Sequence, residues 1–180
     1  SIEKTHRWAK ICLDVKKSEQ AMYGIVQGGK FKDLRIESAQ AINKMGFNGY
    51  GIGGEFGDDK KTLTEMLSWV MPNLDDNKPR HLLGIGHPDD FLPIIQEGVD
   101  TFDCIAPTHY ARHGMVFTST GRLNMRRADA LTNNEPLDKN CLCFVCQNYK
   151  TSYLAHMLKA HEITPLTLLS FHNLYFFQGL

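Results

Sequence analysis

Met22-Tyr23-Gly24-Ile25-Val26-Gln27-Gly28-Gly29 opens the stretch that decides the fold. Its first five residues form a short apolar run, Leu34–Met45 carries apolar residues at helical spacing, and Gly49–Gly53 is a second short run. Strand, helix and strand in that order predict two parallel strands joined by a right-handed crossover. Working outward, the unit recurs as a helix over Leu63–Val70, a strand over His81–Ile85, a helix over Phe91–Val99 and a strand over Thr101–Ile105. Upstream, Glu3–Val15 reads as a further helix. Four parallel strands alternating with helices put the chain in the α/β class.

Each of these strands ends in turn chemistry: Gln27-Gly28-Gly29, Gly53-Gly54, Gly84-Ile85-Gly86-His87-Pro88 and Ala106-Pro107-Thr108. Glycine tolerates positive φ and lets a ligand approach the backbone, so glycines repeated at strand C-termini suit the mouth of a barrel; any one alone is equally an ordinary tight turn. After Pro107 the alternation stops. Met115–Asn124 reads as a hairpin with Thr120-Gly121 near its tip, Ala128–Asn140 as a polar connector, and Tyr149–His161 and Pro165–Phe177 as helices. The division expected is 1–108 for the strand and helix repeat and 109–180 for the rest.

With 180 residues, 42% of them hydrophobic, the chain is long enough for a packed core. It has no apolar run of about 18 residues, and its start, Ser-Ile-Glu-Lys-Thr-His, lacks the order of a signal peptide. The expectation is a soluble, cytoplasmic protein with no membrane partner. Twenty basic residues balance twenty acidic ones, so a nucleic-acid surface must be local.

The five cysteines include Cys141-x-Cys143-x2-Cys146, three soft ligands within six residues, a layout that suits a metal better than a disulfide framework. A fourth ligand must come from elsewhere. His172 is the candidate, with His156 and His161 as competitors, and a Cys3His set would be a closed structural site. Asp103, within Thr101-Phe102-Asp103-Cys104-Ile105, is out of place in an apolar strand, where propensity and burial both disfavour a carboxylate. It reads as a nucleophile, a general base or an orienting group, or else as the cap of the following turn. Asp89 and Asp90 read as helix N-terminal residues. Just downstream lie His109, Arg112, His113, Arg122, Arg126 and Arg127, a cationic set that could hold phosphates or be a solvated loop.

The run Phe102-Asp103-Cys104-Ile105-Ala106-Pro107-Thr108 with Ala111-Arg112-His113-Gly114 is similar to the nucleophile motif of the tRNA-guanine transglycosylases. Tyr23–Gly29, Phe47–Gly54 and Leu83–Asp90 precede it in the family's order, and the cysteine triplet with His172-Asn173 follows. The resemblance implies the second half of a (β/α)8 TIM barrel, four parallel strands with helices, plus a zinc-binding subdomain. It implies exchange of guanine at the anticodon wobble position of tRNA for a 7-deazaguanine base, queuine or its precursor, through a covalent link between Asp103 and the ribose. Gln27, Gly53 and Gly54 would bind the base, Leu83 would pack on its face, His109 and Arg112 would contact tRNA phosphates, and Cys141, Cys143, Cys146 and His172 would hold structural Zn2+.

Three positions depart from the bacterial pattern, which has arginine at His109, a hydrophobic residue at Glu55 and often methionine at Leu83. The resemblance begins in the helix containing Arg7-Trp8-Ala9-Lys10, and the family's first four strands, which bear a second catalytic aspartate, lie outside the match. Four parallel strands leave two edges, so an N-terminal half or a second copy of the chain is the expected partner. A different class of function, a non-catalytic zinc-containing tRNA-binding or partner subunit, would need the basic residues and the metal but not Asp103.

Overall fold

A computed structural model describes residues 1–54 and 60–180, which divide into two compact units, Ser1–Cys104 and Ile105–Leu180. The first unit runs α1 (Ile2–Val15), β1 (Tyr23–Val26), α2 (Lys32–Lys44), β2 (Gly49–Ile52), α3 (Lys60–Val70), β3 (Arg80–Leu82), α4 (Phe91–Gln96) and β4 (Thr101–Phe102). The strands form one sheet in the order β1-β2-β3-β4, every pair parallel. Sequential parallel order with intervening helices is the connectivity of consecutive (β/α) units in a barrel.

Register decides which side chains share a face. Gly24, Val26, Tyr50, Ile52, Leu82 and Phe102 stand on one side, and Tyr23, Ile25, Gly49, Gly51, His81 and Thr101 on the other. The first side is the core: Val26, Tyr50, Ile52 and Leu82 are fully buried against Ala39 and Ile42 of α2, Met66, Leu67 and Val70 of α3, and Ile94 of α4. Helices cover that side and leave the other for the strand-end loops.

Two strands are shorter than expected. β3 stops at Leu82 rather than Ile85, and β4 at Phe102 rather than Ile105. Asp103 therefore lies one residue beyond its strand, where the ladder closes on a long contact of 3.4 Å from its N–H to Leu82 O. The turn expected at Ala106-Pro107-Thr108 is the first turn of a helix, α5 (Ala106–Arg112). Proline is at home there because its missing N–H would have no intrahelical acceptor.

The second unit continues with an antiparallel hairpin, β5 (Met115–Thr118) and β6 (Gly121–Asn124), followed by α6 (Phe144–Asn148), α7 (Thr151–Lys159) and α8 (Thr164–Gln178). The helix expected over Tyr149–His161 is thus α7, with the separate α6 just before it, capped by Cys143, whose sulfur accepts from the Cys146 N–H at 3.4 Å. Val116, Met125, Val145, Leu154, Ala155 and Leu169 make its core. Asn173, fully buried on α8, accepts from Phe117 N–H at 3.0 Å and donates to Pro107 O at 2.9 Å and Met115 O at 3.1 Å, binding α8 to α5 and β5. Among the described residues no helix is long and apolar enough to cross a membrane.

Candidate functional site

In the first unit the uncovered face of the sheet ends in a row of the expected residues. Continuing the alternation past each strand puts Gln27, Gly53, Leu83 and Asp103 on that face. Glycine keeps the row open: a β-carbon on Gly53 would meet Leu83 Cδ1 at 3.4 Å and Gln27 Nε2 at 3.6 Å. Gly54 has φ +93°, a region that side chains rarely adopt. Leu83 is 37% exposed, so it stands at the surface of that face instead of filling a core. Glu55 lies outside the described residues.

The loops that carry these groups are tied from beneath by two buried residues. Ser38 Oγ of α2 accepts from the Gln27 backbone N–H at 3.0 Å. Arg35, also on α2 and fully buried, donates from Nε to Gly29 O at 2.7 Å and from Nη1 to Gly53 O at 2.9 Å. Burial pushes the Arg35 guanidinium below its ordinary pKa. Sequence reading passed over Arg35, because Lys32-Asp33-Leu34-Arg35 looks like a solvated first turn.

Asp103 needs a correction. The expectation placed it inside an apolar strand with burial to offset, but its side chain is 61% exposed and its charge is served. Oδ1 accepts from the Gly84 N–H and from His81 Nε2, each at 3.1 Å. The carboxylate is accessible, held by one oxygen, and set on the face that carries Gln27, Gly53 and Leu83. His81 was likewise passed over, since its partner is 22 residues away.

In the second unit Cys141, Cys143, Cys146 and His172 are all buried, and their ligand atoms lie within 4.8 Å of one another. The three sulfurs stand 3.8, 3.4 and 3.4 Å from His172 Nδ1. Metal–sulfur and metal–nitrogen bonds of about 2.3 and 2.05 Å at a tetrahedral angle require about 3.6 Å between sulfur and nitrogen, so the four donors could hold one metal ion. His172 Nε2 lies 2.8 Å from Phe117 O and donates to it, which leaves the Nδ1 lone pair turned toward the sulfurs. Burial lowers the pKa of His172 and raises those of the Cys141 and Cys146 thiols. His156 and His161, the competitors for the fourth place, are exposed.

His109 and Arg112 lie on α5 and His113 caps its C-terminal end, spaced so that all three share one exposed side. The His109 and His113 rings are 4.6 Å apart, and His113 Nδ1 donates to His109 O at 2.8 Å. Arg126 Nε reaches His113 O at 3.1 Å, which brings a further cation to the end of this helix.

The family model described as queuine tRNA-ribosyltransferase matches residues 1–180. Among curated relatives, the queuine tRNA-ribosyltransferase of Halothermothrix orenii is 45% identical over 182 residues, covering 100% of this chain and 49% of the relative. The Bacillus subtilis enzyme of the same name is 42% identical over 98% of this chain and 47% of its own length. A putative queuine tRNA-ribosyltransferase of Archaeoglobus fulgidus is 42% identical over 98% and 46%. The chain spans about half the length of the curated relatives it matches.

Proposed function

The chain belongs to the queuine tRNA-ribosyltransferase family, and from this premise we propose that it forms the nucleophile-bearing half of a tRNA-guanine transglycosylase. The observation that carries the proposal is Asp103, an exposed carboxylate pinned by one oxygen on the open sheet face. A solvated group with a free oxygen can approach a sugar carbon in a way that a buried or turn-capping one cannot.

In the first half-reaction Asp103 attacks C1′ of the wobble guanosine; the new C1′–O bond replaces the bond to guanine N9, and the electron pair leaves with guanine. In the second, N9 of a 7-deazaguanine base, queuine or its precursor, attacks C1′ and displaces the carboxylate. One glycosidic bond is exchanged for another, so no activated nucleotide is needed. The guanosine must leave its stack to reach the face, where the slot beside Gly53 and Gly54 admits a planar base, Gln27 hydrogen-bonds its edge and Leu83 covers one side. The proton for the leaving base would come from the other half of the barrel, which would also take the N9 proton of the entering base.

His109 and Arg112 would meet anticodon-loop phosphates, adding a salt-dependent share of affinity. Cys141, Cys143, Cys146 and His172 would hold Zn2+, which with four protein ligands supplies structure only. The edges at β1 and β4 would be covered by four further strands, from an N-terminal segment or a second copy. With tRNA as the substrate, this reading favours the cytoplasm as the place of action.

The test is incubation with tRNA, with and without the N-terminal half of a relative, followed by a denaturing gel. A covalent tRNA adduct that disappears in Asp103→Asn is expected. Binding of tRNA with no adduct in either condition would instead indicate a non-catalytic subunit.

A further inference from the structure

Thr101, His81 and Asp103 form a chain of hydrogen bonds along the open face. Thr101 is the register partner of His81, and Asp103 follows Thr101 by two residues on the same side. The imidazole bridges them, with Nδ1 2.8 Å from Thr101 Oγ1 and Nε2 3.1 Å from Asp103 Oδ1. A carboxylate can only accept, so Nε2 must carry a proton; in the neutral ring Nδ1 is then the acceptor, and the Thr101 hydroxyl donates to it.

Resting on the transglycosylase reading, we propose that His81, held in its Nε2–H tautomer by the Asp103 carboxylate and oriented by the Thr101 hydroxyl, is the positioning residue for the nucleophile. The Gly84 N–H and the His81 Nε2–H converge on Oδ1. Among the described residues Oδ2 carries no hydrogen bond, so Oδ2 is the oxygen presented to C1′. The arrangement serves both half-reactions. Two donors on Oδ1 stop the carboxylate from rotating, which keeps Oδ2 on its line of attack. When the incoming base breaks the C1′–Oδ2 bond, the returning negative charge spreads onto an oxygen that already has two fixed donors, easing departure. His81 touches neither base nor ribose in this scheme and acts only through Asp103.

Two measurements on the full chain decide the proposal. The first needs no tRNA: long-range proton–nitrogen correlation of the neutral His81 ring should show Nε2 protonated and Nδ1 bare, and Thr101→Val should leave the proton on Nε2 while shifting the Nδ1 resonance, which loses its donor. A wild-type ring protonated on Nδ1, or an Nδ1 resonance indifferent to Thr101→Val, overturns the arrangement. The second is the rate of adduct formation. His81→Phe, which removes the donor, should slow it about 100-fold with tRNA affinity unchanged, and His81→Gln, which restores an N–H at similar reach, should recover most of the loss. Wild-type rates in His81→Phe, or no recovery in His81→Gln, overturn the positioning role. If the wild-type chain forms no adduct even with the N-terminal half of a relative present, the transglycosylase reading fails while the ring measurement still decides the arrangement of His81.

Discussion

In the second unit four ligand atoms from Cys141, Cys143, Cys146 and His172 lie buried within 4.8 Å of one another, and the remaining imidazole nitrogen is taken by Phe117 O. In the first, Asp103 is 61% exposed and held through one oxygen by two donors. Both are polar constellations closed over long sequence separations, but the cysteine and histidine set would leave no coordination position open, whereas Asp103 leaves an oxygen toward solvent. A closed, buried donor set can act only on the stability of its own surroundings, whereas an exposed group with a fixed partner can act on something that arrives. The two can therefore be separated by experiments that read folding in one unit and chemistry in the other.

The largest expected effect is on the closed set. Structural zinc sites contribute about 10–16 kcal/mol in small peptides, as much as the roughly 5–15 kcal/mol stability of a whole domain. Stripping the metal with a chelator, or Cys143→Ser, should abolish the folded core of Ile105–Leu180. Chemical shifts from the sheet of the first unit should persist. Simultaneous loss of both sets of signals would mean that the metal supports the sheet as well, and the comparison would break.

Next in size are the two buried polar side chains that tie each unit. Asn173→Leu leaves the Phe117 N–H and the Pro107 and Met115 carbonyls without their amide partner, and Arg35→Leu does the same to the carbonyls of Gly29 and Gly53. At about 1–3 kcal/mol for each stranded group, denaturant melts should show a loss of at least about 3 kcal/mol for Asn173→Leu and at least about 2 for Arg35→Leu. Arg35→Leu should also lower base affinity, because the loops it holds carry Gly53 and Gly54. Asn173→Leu should not.

These two residues also mark where sequence reading ends. The alternation of short apolar runs with amphipathic ones carried the parallel sheet, and the tight cysteine spacing carried the metal set, because both are local patterns. Choosing His172 over His156 and His161 depended on the family's pattern, since helical spacing treats the three alike. The length of β4 was not legible: Thr101-Phe102-Asp103-Cys104-Ile105 reads as one strand until Gly84 takes the carboxylate of Asp103 and the ladder ends. Arg35 and His81 were invisible for a related reason. Their meaning lies in partners 18 and 22 residues away, and in local sequence each is one more polar residue.

A smaller effect follows from the proton balance of the closed set. Burial raises the pKa of the Cys141 and Cys146 thiols, so both are protonated without metal at neutral pH, while burial lowers that of His172, which stays neutral there. Metal must then displace at least the two thiol protons and none from the imidazole. Affinity should rise with pH by about 100-fold or more per unit between pH 6.5 and 7.5, read by competition against a chelator of known proton dependence. A flat profile would mean that the thiols are already ionised in the free protein and that the site is less closed than its burial indicates. If tRNA is held through His109 and Arg112 as proposed, its binding should not follow this slope.

The smallest effect tests whether the open face is a slot or a second core. Leu83 is 37% exposed beside Gly51 and Gly53, whereas Leu154 of α7 is fully buried. Truncating a core leucine removes its transfer energy and leaves a cavity, about 2–5 kcal/mol, and Leu154→Ala should cost that much. Leu83→Ala creates no enclosed void, because solvent already reaches the side chain, so its cost in a denaturant melt should be about 1 kcal/mol or less. Its effect should appear with ligand instead. A base lying on Leu83 loses an apolar wall, and affinity for a 7-deazaguanine base should fall about tenfold, in keeping with about 1–3 kcal/mol for small changes in an apolar pocket. If Leu83→Ala destabilised the fold by as much as Leu154→Ala and left base affinity unchanged, the uncovered face would be a packing surface awaiting other strands, and Asp103 would have no slot beside it.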